Sequence, residues 1–330
     1  NESGRAIGLR ADMDALDIVE ENNKAHVSKI PGKMHGCGHD GHTAMLLGAA
    51  KYLSENRNFD GKVHLIFQPA EEGRGGAHMM IDEGLFARFP MDSVYGMHNW
   101  PKMKRGTVGV RSGPIMAAAE RFDIVVHGAG GHAAMPHKCI DPIVIGSQIV
   151  NALQTLVSRS ADPVDPVVIS ITNFNGGTGA FNVIPDVATL SGTLRAFEME
   201  TRQTMIKRIC EITADTAKML GGSAECTFME GGYDPTINTV EETQNCIKIA
   251  QDLLGADNVD TEIQPSMGAE DFGAMLQAVP GCYIWMGQGE DDAQSNHNQG
   301  LHTPKYDFND EIIPAGIEYW VRVVEGVLKR

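Results

Sequence analysis

No apolar run in this sequence approaches the roughly 20 residues needed to cross a bilayer, so a membrane-embedded protein is not expected. A block of lysines or arginines is equally lacking. The chain has 27 basic against 43 acidic residues, a formal net charge of −16, and acidic side chains spread along its length. Such a surface repels a phosphate backbone, which argues against nucleic acid as a partner. The six cysteines (Cys37, Cys139, Cys210, Cys226, Cys246 and Cys282) are scattered and form no C-x-x-C pair. A chain of 330 residues does not need disulfide staples to hold a core. The start, Asn1-Glu2-Ser3-Gly4-Arg5, does not combine a charged segment with an apolar core as an export signal does. A reducing cytoplasm is the expected setting. Internal repeats and low-complexity tracts are also lacking.

What is there reads as a globular protein, 42% hydrophobic and 21% charged, long enough for two domains or for one large domain with an insertion. Short apolar strands are predicted at 5–12, 62–69 and 93–100, with helices at 43–54 and 77–88 between them. Strands alternating with helices predict a mostly parallel sheet covered on both faces, which binds ligands at the carboxyl ends of its strands. The middle of the chain has a different order. Strand 120–127, helix 141–159, strands 167–173 and 187–197, helix 200–220 and strand 224–229 make a β-α-β-β-α-β unit of ferredoxin-like kind. After it come helices 240–254 and 270–278, strand 281–287 and an amphipathic helix from about 314. The expected architecture is therefore an α/β domain formed by 1–115 and 230–330, interrupted by an inserted α+β domain at 116–229.

Chemistry concentrates in a few stretches. In His35-Gly36-Cys37-Gly38-His39-Asp40-Gly41-His42, imidazoles, a thiol and a carboxylate alternate with glycines in a predicted loop before a helix. Nitrogen and sulfur donors of this kind bind zinc-like divalent ions, and glycines let the backbone close around something small. Glu71-Glu72 follows a predicted buried strand, where adjacent carboxylates repel unless a cation intervenes. One can ligate while the other stays free to take a proton from water. His98 in GMHNWP and His302 in LHTPKYDFND each precede a turn with proline; either one alone reads more readily as a hydrogen-bonded structural histidine than as a ligand.

Taken together, the ordered motifs LRADMDAL (9–16), PGKMHGCGHDGHTAMLLGAAKYL (31–53), FQPAEEG (67–73), YGMHNWP (95–101), GAGGHAAMPH (128–137), FNVIPD (181–186), GTLRAF (192–197), MGAEDF (267–272) and LHTPKYDFND (301–310) span nearly the whole chain. They resemble the M20 peptidase family, in its amidohydrolase branch of hippurate hydrolases, N-acyl-amino-acid aminoacylases and plant auxin-conjugate hydrolases. The resemblance implies a zinc-peptidase-like catalytic domain with an inserted lid that also forms a homodimer contact. It implies two divalent ions per subunit held by Cys37, His39, Glu72, His98 and His302, with zinc favoured by the donor set and manganese, nickel or cobalt as alternatives. Glu71 is then the general base toward metal-activated water. Asp12 and Asp14 would orient ligand imidazoles. In the lid, His132 would stabilise the developing oxyanion, while Asn182 and Arg195 would bind substrate, the arginine gripping its carboxylate.

The expected reaction is hydrolysis of the amide bond of a small N-acyl amino acid. Two alternatives stand beside it: a dipeptidase or carboxypeptidase of the same family, and a non-catalytic metal-binding homologue. The sequence departs from the family pattern at Asp17, where proline is usual, and in 173–179, where histidine is common near Asn175. Family members usually carry a further leading helix and strand, so the chain is expected to begin partway into a domain.

Overall fold

The computed structural model describes residues 3–330. In chain order its main elements are β1 (Ala6–Asp12), α1 (His39–Glu55), β2 (Lys62–Gln68), α2 (Gly76–Asp82), β3 (Ser93–Lys104), β4 (Val108–Gly109), β5 (Ala118–His127), α3 (Pro142–Thr155), β6 (Val167–Gly176), β7 (Val187–Ala196), α4 (Met199–Met219), β8 (Ser223–Phe228), α5 (Val240–Leu254), β9 (Val259–Asp260), α6 (Phe272–Ala278), β10 (Gly281–Gly289) and α7 (Ile313–Val327). They fall into two compact units. One runs to Ile115 and adds Thr236–Pro265 and Asp271–Arg330; the other comprises Met116–Pro235 and Ser266–Glu270. Residues 230–235 and 266–270, expected in the first unit, thus cluster with the second. Asp234 accepts a hydrogen bond from Arg202 of α4 at 2.8 Å, and the Ala117 amide donates to the carbonyls of Ser266 and Gly268.

The first unit is built on a six-stranded sheet in the order β9-β4-β10-β3-β1-β2. It is mostly parallel: β1 pairs with β2 and β3, β10 with β3, and β9 with β4 in the parallel sense, and only β10 with β4 is antiparallel. Every residue of β1 and of β10 is buried, as expected of strands covered on both faces. Ile7, Leu9, Tyr95 and Ile284 pack with Met45, Leu46 and Ala49 of α1 and with Trp320 and Val324 of α7. The α/β architecture with a mostly parallel sheet is therefore as the sequence predicts.

Two local differences bear on the site. The predicted helix 77–88 is broken, because Gly84 adopts a left-handed φ of 95° between α2 and a single turn at Leu85–Arg88. And α1 begins at His39, four residues before the predicted start, so the histidine-rich stretch is only half loop.

The second unit has a four-stranded antiparallel sheet in the order β8-β5-β7-β6, with α3 and α4 as its helices. Phe122, Ile124 and Val126 alternate inward along β5 and pack with Ile145, Ile149 and Leu153 of α3 and Met205 and Ile209 of α4. Among the described residues, no helix is long and apolar enough to cross a membrane.

Candidate metal centre

The donors gather at the carboxyl ends of parallel strands, where loops and helix starts leave side chains convergent. Asp12 ends β1, Glu71 and Glu72 follow β2, and His98 lies in β3 beyond its pairing with β1. Backbone geometry aims several of them. Ala70, just before Glu71, and His302 both have positive φ, at 60° and 63°. Non-glycine residues rarely adopt that conformation, and such strain clusters at functional sites. Gly38 has φ 90° at the start of α1, and a Cβ there would lie 2.4 Å from Tyr306 Oη and 2.5 Å from Asn99 Oδ1. Only glycine lets Cys37 leave the loop and His39 open the helix within that space.

The five expected ligands meet. Cys37 Sγ is 3.4 Å from His98 Nε2 and 3.3 Å from His302 Nε2, and His302 Nε2 is 3.1 Å from Glu72 Oε1. Donor atoms of Cys37, Glu72 and His302 lie within 4.8 Å of one another, and so do those of His39, Glu71 and Glu72. Glu72 is common to both groups.

Hydrogen bonds fix which lone pairs are free. His98 Nδ1 is 2.6 Å from the Asn99 carbonyl, an oxygen that only accepts, so the proton sits on Nδ1 and Nε2 is bare toward Cys37. His39 Nδ1 likewise faces Asp14 Oδ1 at 3.2 Å, while the other oxygen of Asp14 accepts the Glu72 amide at 2.9 Å. Asp14 thereby holds a ligand from α1 and one from the β2 loop together. His39 Nε2 and Glu72 Oε1 are buried and make no hydrogen bond, although Asp12 Oδ2 stands 3.7 Å from the first and His302 Nε2 3.1 Å from the second. Buried polar atoms left so cost free energy, and a cation bonded to both lone pairs removes that cost. Thiolate, imidazole and carboxylate donors around such atoms fit a divalent ion.

Electrostatics agree. Burial pulls the His39 pKa down, but Asp12, Asp14 and Glu72 outweigh it and raise the pKa to about 9. Burial and the neighbouring His42 hold His98 well below the usual histidine range, hence neutral and able to ligate. The acidic pocket thus draws a proton onto His39 that an incoming cation must displace. Metal affinity is expected to rise as the pH increases toward about 9 and then level off, with at least one proton released per site filled. Calorimetric titration of zinc in buffers of differing ionisation enthalpy measures that release; none at pH 7 would contradict the arrangement.

Residues outside the expected ligand set complete the support. His42 Nδ1 lies 2.6 Å from Asp12 Oδ1, and the Asn99 amide donates to His42 Nε2 at 3.0 Å. Arg10, fully buried, donates to Asp12 Oδ2 at 2.8 Å, to Asp271 Oδ1 at 3.1 Å and to Gln68 Oε1 at 2.9 Å. Arg10, Gln68 and Asp271 each belong to one of the quoted motifs, which was the available signal.

The other expected site residues stand in the second unit. Gly131–His132 pairs with Val183–Ile184, and the Ala133 amide donates to the Asn182 carbonyl at 2.9 Å. Both His132 and Asn182 are exposed. Arg195 is half-buried on β7, where burial and Arg121 lower its pKa, and it donates to the Leu194 carbonyl at 3.0 Å.

Residues 8–326 match the model of peptidase family M20/M25/M40. The chain belongs to this family. Among its relatives is the IAA-amino acid hydrolase ILR1-like 4 of Arabidopsis thaliana, 42% identical over 94% of this chain and 70% of that protein. The hippurate hydrolase of Campylobacter jejuni is 39% identical over 99% of this chain and 83% of its own length. A crystal structure of a dinuclear metal binding peptidase of the M20 family from Bacillus subtilis superposes with a TM-score of 0.83 at 33% identity, covering 100% of this chain and 83% of that one.

Proposed function

We propose that this M20 protein is a metal-dependent amidohydrolase that releases the amino acid from an N-acyl amino acid, using two divalent ions, zinc by preference. The observation that carries this reading is the sharing of Glu72 between two donor groups, Cys37–Glu72–His302 and His39–Glu71–Glu72, with His39 Nε2 and Glu72 Oε1 buried and making no hydrogen bond. In this reading Cys37, His39, Glu72, His98 and His302 hold the ions. Divalent ions so held polarise a carbonyl and bring the pKa of water down toward ~7.

Glu71 is buried and has a carboxylate oxygen among the donors, so it serves as the general base. It takes a proton from water as the water oxygen bonds to the acyl carbon, then passes the proton to the nitrogen as the C–N bond breaks. The products are a carboxylic acid and a free amino acid. We assign His132 to hydrogen bonding of the acyl oxygen as negative charge develops there. Asn182 and Arg195 are assigned to substrate, with the guanidinium paired to its carboxylate. The second unit acts as lid and homodimer contact, and the protein works in the cytoplasm.

The names of the plant and Campylobacter relatives support this substrate class. The test measures amine release from hippurate, N-acetyl amino acids and dipeptides, before and after removal of metal by chelation and its restoration. Hydrolysis of the N-acyl amino acids, lost on chelation and recovered with zinc or manganese, is the expected result. Turnover confined to dipeptides would point to a peptidase, and stoichiometric metal without turnover of any substrate to a binding protein.

A further inference from the structure

A cavity of about 400 Å³ opens beside Glu72, lined by Asp14, Leu16, Asp17, Ile18, Lys33 and Arg74 among others, all within the first unit. Its charges can be accounted for one by one. Asp14 is engaged by His39 and by the Glu72 amide. Asp17 is paired with Lys33. Glu72 faces the candidate metal centre. Arg74, exposed, is left without a hydrogen bond or close ion pair, and is held only by a weaker attraction toward Asp17, whose carboxylate is already bonded to Lys33. Its backbone is fixed between Gly73 at φ 77° and Gly75 at φ 65°, both left-handed, which hold a tight turn directly after Glu71-Glu72. A guanidinium whose N–H groups bond to no carboxylate of its own protein, lining the same cavity as a candidate metal ligand, presents a fork suited to a carboxylate.

We infer that Arg74 sets substrate specificity, pairing with a second carboxylate on the substrate in addition to the α-carboxylate. The preferred substrates are then N-acyl derivatives of acidic amino acids, or amino acids acylated by a dicarboxylic acid. The Asp17–Lys33 pair matters to this: Asp17 is bonded to the lysine and reaches Arg74 only as a weaker attraction, so the guanidinium's own donors stay open to an anion. The inference rests on the amidohydrolase reading above.

Its test uses two matched pairs with the metal-loaded protein. N-acetyl-glutamate against N-acetyl-glutamine places the extra charge on the amino acid; N-succinyl-alanine against N-butyryl-alanine places it on the acyl group. One pair is expected to show at least a tenfold kcat/KM preference for the charged member, in line with hydrogen bonds to charged groups. Arg74→Gln should remove that preference and Arg74→Lys should keep part of it. The pair that responds identifies which side of the amide faces Arg74. Calorimetric binding of the same compounds to the metal-loaded Glu71→Gln protein should give the same ratio without turnover. Equal rates within both pairs, or a preference unchanged in Arg74→Gln, would overturn the inference and leave the hydrolase reading intact. If no compound is hydrolysed by the metal-loaded parent, both readings fall.

Discussion

Replacing Glu71 by glutamine is expected to lower kcat on an N-acyl amino acid by about 10³-fold while the metal content stays at the parental value. Glutamine keeps the size and one oxygen of glutamate but has no basic oxygen to receive a proton at neutral pH. Glu71 is 6% exposed, and its carboxylate lies within 4.8 Å of donor atoms of His39 and Glu72. Two roles are open to a carboxylate in that position, and the variant separates them. A base lost from a site that retains Cys37, His39, Glu72, His98 and His302 leaves the ions bound and the chemistry slow. A ligand lost would instead reduce bound metal and turnover together. Elemental analysis of the purified variant, read beside single-turnover rates, distinguishes these outcomes. Parental turnover at full metal load would remove Glu71 from the mechanism altogether.

Residue type and local spacing marked the His35–His42 stretch and Glu71-Glu72 as candidate donors, because thiol, imidazole and carboxylate groups are costly to bury without a function, whereas His98 and His302 joined them only through the family resemblance. The alternation of strand and helix likewise sufficed for the parallel sheet, and the β-α-β-β-α-β order for the sheet of the second unit. What sequence pattern did not convey was the start of α1. Propensity places a helix start after the glycines, yet Gly38 in a left-handed conformation, pressed against Tyr306 and Asn99, allows the helix to open on His39. The break at Gly84 was missed for a similar reason: a single positive φ cannot be read from apolar periodicity. The buried polar scaffold was also out of reach. Arg10 and Asp271 are 261 positions apart and meet only because β1 and the segment leading into α6 are brought together by the fold. In isolation, an arginine in a strand reads as an exposed charge.

That scaffold carries the second large expectation. Arg10→Met should destabilise the metal-loaded protein by about 3–5 kcal/mol, the usual cost of removing one partner from a buried ion pair. The guanidinium is fully buried and bonded to two carboxylates, Asp12 and Asp271, and its carbon lies 5.7 Å from the centre of the Phe272 ring. Methionine fills much of the volume and satisfies neither carboxylate. Asp271 retains Gln68 Nε2 at 2.7 Å and the Ala77 amide at 2.9 Å, so it is partly compensated. Asp12 retains His42, and through that contact the damage reaches the metal side: with Arg10 gone, His39 and His42 are the cationic or donor groups left to oppose the cost of burying its charge. Denaturant unfolding of parent and variant at equal metal load measures the loss. The pairwise origin of the effect is checked by the double variant Arg10→Met/Asp271→Asn, which should cost less than the sum of the two single changes, because neutralising Asp271 removes one of the charges that Arg10→Met leaves unpaired. Strict additivity, or a single-variant cost below about 1 kcal/mol, would mean that the buried arginine acts by packing alone and that Asp12 needs no counter-charge behind the metal centre.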